Sequence, residues 1–179
     1  MPEFLDEKEK RILELETRKK VYTIVKKFAG CHYREIERKS QLAAGTVKYH
    51  LSYLVRNGLL TERKNGNVRY YPRAFKPGNK MLLGLLRQKS VRQILLFIFV
   101  HDNCNHEQIV RSGDLSPSTV SWHLKKLKEG NIISIEARGR KSFYTLLADK
   151  EEVMNLLIAY RESFLDSLVD NVIEMWEME

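Results

Sequence analysis

Three residues in the stretch HDNCNH, namely His101, Cys104 and His106, have the side-chain types and close spacing that hold a transition metal. His50 and His123 are imidazoles that could serve as bases, and Cys31 is a second thiol. Sliding the sequence along itself by 73 residues tests these assignments. Cys104 falls on Cys31, but His106 falls on Tyr33 and His101 on Phe28. A cysteine repeated without its co-ligands reads as a small packing residue ahead of a helix. His50 falls on His123, in step with neighbouring leucines, as helix-packing residues would. We therefore expect no metal and no cofactor. The chain also lacks a phosphate loop, a glycine-rich nucleotide turn and a nucleophile motif, so no enzymatic activity is expected.

The chemistry that remains is hydrogen bonding and charge on a repeated scaffold. GTVKYHLSYLVRNGLL, residues 45–60, returns as STVSWHLKKLKEGNII, residues 118–133. At the same offset Ile36 meets Ile109, Leu42 meets Leu115, Gly66 meets Gly139 and Tyr71 meets Tyr144, with no gap needed. The matched positions are those a core or a turn requires, which implies two copies of one domain, at 18–75 and 91–148.

Each copy reads as three helices and a hairpin. Val21, Ile24, Val25 and Phe28 recur at helical spacing, and Gly30 ends that helix. A short helix over 33–39 and a turn at SQLAAG precede a third helix from Ala44 to the Asn57-Gly58 pair. In the second copy Ser116 can cap the third helix and Pro117 suits its first position, whereas AAGTV offers no capping side chain. Asn65-Gly66 and Arg138-Gly139 mark the hairpin turns. Residues 76–90 form a leucine-rich linker helix, 1–17 a helical extension running straight into the first domain, and 149–179 one long acidic helix. The fold class is mainly α with small β-wings.

On a wheel of about 100° per residue, Val47, Leu51 and Leu54 form the inner face of the third helix. Gly45, Tyr49 and Ser52 point outward, with Thr46, Lys48 and Tyr53 on the flanks. The corresponding set in the second copy is Ser118, Thr119, Ser121, Trp122, Lys125 and Lys126. Hydroxyls, aromatics and lysines of this kind donate to phosphates and read base edges in a major groove. Arg63, Lys64 and Arg69 arm the first hairpin, and Arg138, Arg140 and Lys141 the second. Glu129 stands where the first copy has Arg56, which disfavours phosphate at that end of the second helix.

A helix-turn-helix with this Thr-Val, His-Leu, Leu pattern followed by a basic hairpin resembles the winged helix-turn-helix domains of ArsR-like and MarR-like prokaryotic regulators. The tandem arrangement is similar to archaeal tandem winged-helix regulators, including the archaellum-operon activators of euryarchaea. The resemblance implies recognition helices at 45–56 and 118–129, with wings at 61–71 and 134–144. It also implies two-headed, sequence-specific binding of double-stranded promoter DNA by a transcription regulator. The alternative is a winged-helix assembly module of a polymerase or chromosome complex.

Charge agrees with a polyanionic partner. Residues 1–148 carry a formal +15 and residues 149–179 carry −7. Along the acidic segment Leu157, Tyr160, Phe164, Leu168, Val172 and Trp176 recur every three to four residues. Such a stripe either pairs two copies in a homodimer, the expectation adopted here, or packs on its own chain. In the second case its acidic face turns to a basic partner such as a basal transcription factor. With two cysteines, no leader-like start and a longest apolar run of only residues 94–100, a cytoplasmic protein without a membrane span is expected.

Overall fold

The computed structural model describes residues 6–65, 67–164 and 167–178. Gly66, half of the expected first hairpin turn, lies outside them. The chain divides into two compact units, Met1–Lys80 and Met81–Glu179.

The first unit runs α1 (Glu7–Ile12), α2 (Glu16–Lys27), β1 (Cys31–His32), α3 (Tyr33–Ser40), α4 (Ala44–Arg56), β2 (Leu60–Asn65) and β3 (Asn67–Pro72). Helix α5 (Pro77–Leu86) begins here and ends in the second unit. That unit continues with α6 (Lys89–Val100), β4 (Cys104–Asn105), α7 (His106–Arg111), α8 (Pro117–Glu129), β5 (Ile133–Arg138), β6 (Lys141–Leu146), α9 (Lys150–Ala159) and α10 (Ser167–Glu177).

Each unit packs its helices over a small antiparallel sheet, in the order β1-β3-β2 and β4-β6-β5. Val21, Val25, Ile36, Val47, Leu51 and Leu54 fill the first core. Val120, Leu124, Leu127, Ile109 and Ile133 are buried at the corresponding places of the second. The two architectures match the expectation of a mainly helical fold with small sheets in tandem helix-turn-helix domains.

Four details differ from the sequence expectation. The hairpins gain a third strand, because Cys31 and His32 pair with Tyr70 and Arg69, and Cys104 and Asn105 with Tyr144 and Phe143. Two residues are too few to show an alternating pattern.

The N-terminal extension does not run straight into α2. Asp6 and Glu9 close a reciprocal capping box on α1, which ends at Ile12. The Ile12 carbonyl accepts from Arg18 Nη1 at 2.9 Å in place of a continuing helical amide. Leu15 is left 47% exposed at the break. Glu9 is buried against Arg73, 2.9 Å away.

The long acidic helix is two helices separated by a 3₁₀ turn at Arg161–Ser163. The break brings Phe164 beneath the buried Arg92 guanidinium, 5.2 Å from the ring centre, and sets Trp176 5.7 Å from Phe99 of α6. Arg161 bonds Asp170 across the turn at 2.6 Å. Bending allows both apolar stripes to cover one unit, which a straight helix would leave exposed.

The fourth difference is register. Arg63 pairs with Arg69, whereas Glu136 pairs with Phe143. The constant offset of 73 would have matched Glu136 with Ser142. Beyond the turn the copies are therefore one residue out of step, and Tyr144 takes the place of Tyr70, not Tyr71. Arg138 and Lys141 flank a two-residue tip whose Gly139 sits at φ 62°, a left-handed conformation that glycine adopts at little cost.

Candidate nucleic-acid interface

Helix α4 lies where helix-turn-helix geometry would present it. Val47, His50, Leu51 and Leu54 are buried, and Gly45, Lys48, Tyr49 and Ser52 are exposed. Tyr49 is 55% exposed, unusual for a large ring, and meets His50 edge-on at 5.2 Å. Lys48 Nζ is 5.5 Å from the Tyr33 ring, which brings the start of α3 beside α4. Exposed Arg34 follows in the same turn, and sequence reasoning passed over both Tyr33 and Arg34. The HYR triplet gave no periodic or repeated signal to mark them. Thr46 is half-buried.

Two of the expected contact residues also hold the fold together. Tyr53 is half-buried, with the Arg18 guanidinium 3.9 Å above its ring. Arg69 donates from Nη1 to the Gly30 carbonyl at 2.7 Å, which holds β3 against the end of α2. Lys64 is exposed on β2 and Arg63 half-buried beside it.

Helix α8 repeats the inner face with Val120, His123, Leu124 and Leu127. Its start is capped by Ser116, whose hydroxyl accepts from the Thr119 amide and lies 3.0 and 2.8 Å from the Ser118 and Thr119 hydroxyls. Ala43 provides no such bond to α4. The Ser121 hydroxyl is 2.9 Å from His106 Nε2. Trp122 is 54% exposed, with Lys126 Nζ 4.1 Å from its ring.

Three cations of the second copy sit near carboxylates. Lys125 is 4.0 Å from Glu129, Arg138 is 2.6 Å from Glu136, and Arg111 pairs with Glu107. Arg140 and Lys141 are exposed at the tip. Among the described residues, Lys48, Arg56 and Lys64 form no ion pair. The units differ accordingly: residues 1–80 hold 19 Lys and Arg against 9 Asp and Glu, and residues 81–179 hold 12 against 14.

The repeated histidines are structural. His50 Nε2 lies 3.2 Å from the Thr17 hydroxyl, and among the described residues neither His50 Nδ1 nor His123 Nδ1 has a hydrogen-bond partner. Burial, then the nearby Arg18 or Lys126 charge, holds both imidazoles below their ordinary pKa. A proton is therefore bound more readily by the unfolded chain. Stability is fully present above the unfolded value of about 6.5 and is lost as pH falls from there toward the folded values. Urea midpoints should drop between pH 7.5 and pH 5, and by less in a His50→Gln/His123→Gln variant.

Cys31 and Cys104 are buried free thiols, and burial pushes Cys104 up to about 11. Among the described residues no cluster of three or more His, Cys, Asp or Glu could hold a metal ion, and no helix is long and apolar enough to cross a membrane. Of the expected partner-facing stripe, Leu157, Phe164 and Val172 are buried inside the second unit, and Tyr160, Leu168 and Trp176 are half-buried.

Residues 15–83 match a family described as an N-terminal HTH domain, and residues 88–134 match the bacterial regulatory proteins of the arsR family. A protein of Methanocaldococcus jannaschii described as an HTH-type transcriptional regulator is 30% identical over 139 residues. The match covers 76% of this chain and 34% of that protein, so the chain spans about a third of its relative's length. The two family matches, falling on the two repeated units, show that this chain carries two helix-turn-helix domains in tandem, the second of the arsR type.

Proposed function

We propose that the chain is a DNA-binding transcription regulator that reads double-stranded promoter DNA sequence-specifically, with α4 as its principal recognition helix. The observation that carries this reading is the outward face of α4. It offers Lys48, Tyr49 and Ser52 to solvent in a unit with ten more bases than acids. A helix of this width enters a B-DNA major groove, and the β2–β3 wing reaches the flanking backbone through Lys64 and Arg63. The relative's description as a transcriptional regulator supports the same reading.

The repeat limits of 18–75 and 91–148 define the two reading modules in this proposal. Ser118, Ser121, Trp122 and Lys125 form the second, weaker head. The ion pairs around α8 and β5, with the excess of acids in that unit, favour protein contact as its larger role. That is the assembly-module alternative confined to one half of the chain. Because the apolar stripe of 157–176 mostly covers its own unit, the exposed acids Glu151, Glu162, Glu174 and Glu177 are better suited to a basic protein partner than to pairing two copies.

Titration of a random duplex pool at rising salt tests the reading. Each neutralised phosphate contributes about −0.9 to the slope of log K against log salt. Four phosphate contacts would weaken binding by more than tenfold between 50 and 200 mM salt, all values on the order given by counterion release. Sequencing the bound fraction should return a motif. Failure to bind duplex DNA even at low salt would remove the regulator reading.

A further inference from the structure

The second unit holds a cleft that DNA recognition does not use. It lies between α6 and α10, with a cavity of 210 Å³. Leu96, Phe97, Val100, Leu168, Val172 and Met175 supply apolar walls. Polar groups stand among them: Gln93, Asn171, His101, and Ser112, whose hydroxyl donates to the Ile109 carbonyl at 2.8 Å and keeps its lone pairs to accept. The His101 ring leans on Phe97 at 4.5 Å. Among the described residues, no acidic residue, lysine or arginine lines the cavity.

These features define an occupant. A cavity of about 150 Å³ lined by aliphatic and aromatic side chains is enough for benzene, so this one has room for a single ring or a small fused ring with a short polar substituent. With no lysine, arginine or carboxylate in the wall, an ionised ligand would lose its hydration without a compensating charge. Apolar walls of Phe97 and the aliphatic side chains, flanked by amide, imidazole and hydroxyl groups, fit an uncharged aromatic bearing one hydroxyl or N–H.

The cleft is also joined to the recognition helix. Gly113 lies in the turn between α7 and α8, and a β-carbon there would fall on the Gln93 side-chain amide. Gln93 therefore packs directly against that turn while its other side lines the cavity. Movement of Gln93 on ligand entry would be felt by the residues that aim α8.

We propose that this cleft binds a small uncharged aromatic molecule and that occupancy is transmitted through Gln93 and Gly113 to α8. Any effect on DNA affinity rests on the regulator reading above, but the binding site does not. The test accordingly uses the full chain without DNA.

Phenol and indole serve as probes in thermal unfolding and in amide hydrogen exchange. The expected result is a saturable rise of a few degrees in Tm with at least one probe, as selective binding to the folded state requires, and slower exchange over 112–119. Met175→Trp and Asn171→Trp, both at exposed rim positions, fill the cleft and should abolish the rise while the chain still folds. No saturable rise with either probe, or an undiminished rise in both filled variants, overturns the site. A rise without any change over 112–119 overturns the link to α8.

Discussion

Lys48→Glu is expected to lower affinity for the selected duplex by about 100-fold or more. Losing a groove contact costs about 1–3 kcal/mol, and the new carboxylate adds repulsion from phosphate. Tyr49→Ala, which removes a ring 55% exposed on the same face, should cost about fivefold by the lower end of that range. Neither change should disturb folding, because Lys48 and Tyr49 both lie on the solvent side of α4. Surface changes of this kind usually stay within about 0.5 kcal/mol. Lys125→Ala on α8 is the comparison, since Lys125 already lies near Glu129. Fluorescence anisotropy with a labelled duplex separates the cases. A larger loss in Lys125→Ala than in Lys48→Glu would reverse the ranking of the two heads.

Leu127→Ala and Leu54→Ala should each lose about 2–5 kcal/mol of unfolding free energy, the range for removing a buried leucine side chain. Both leucines are fully enclosed on the inner faces of α8 and α4. Both tryptophans, Trp122 and Trp176, lie in the second unit, so denaturation followed by tryptophan emission reads the Leu127 variant there. Far-ultraviolet circular dichroism reads the Leu54 variant. A cost below about 1 kcal/mol at Leu127 would mean that the inner face of α8 had been misassigned.

Much of the fold was legible because burial repeats. Val47, Leu51 and Leu54 recur as Val120, Leu124 and Leu127 because a helix lying on a core needs apolar groups at those spacings wherever it occurs. The caps were legible for a similarly local reason. Ser116 carries an acceptor within reach of the Thr119 amide, and Ala43 carries none.

What escaped depends on partners distant in sequence. Arg69 reads as one more basic wing residue until the Gly30 carbonyl, 39 positions away, is found beside it. Tyr53 reads as a flank until Arg18 covers it. The stripe from Leu157 to Trp176 has the right period for a long helix, yet periodicity cannot report that Arg92 and Phe99 wait on α6 to receive a bent one. The outward faces follow no packing rule, so their chemistry was readable but their engagement was not.

The unequal hairpin registers bear on how the chain came to have two copies. Neighbouring side chains along a strand point to opposite faces, so a residue gained or lost within β3 or β6 would have turned every later side chain inside out. At the tip, the same event lengthens only the turn. Tyr70 still pairs with Cys31 and Tyr144 with Cys104, on either side of the one-residue difference. A length difference at the tips therefore leaves the cross-strand pairs beside the core intact. In the second copy Gly139-Arg140 lies between the paired Arg138 and Lys141, so a change of reach there leaves the pairing of β5 with β6 in place.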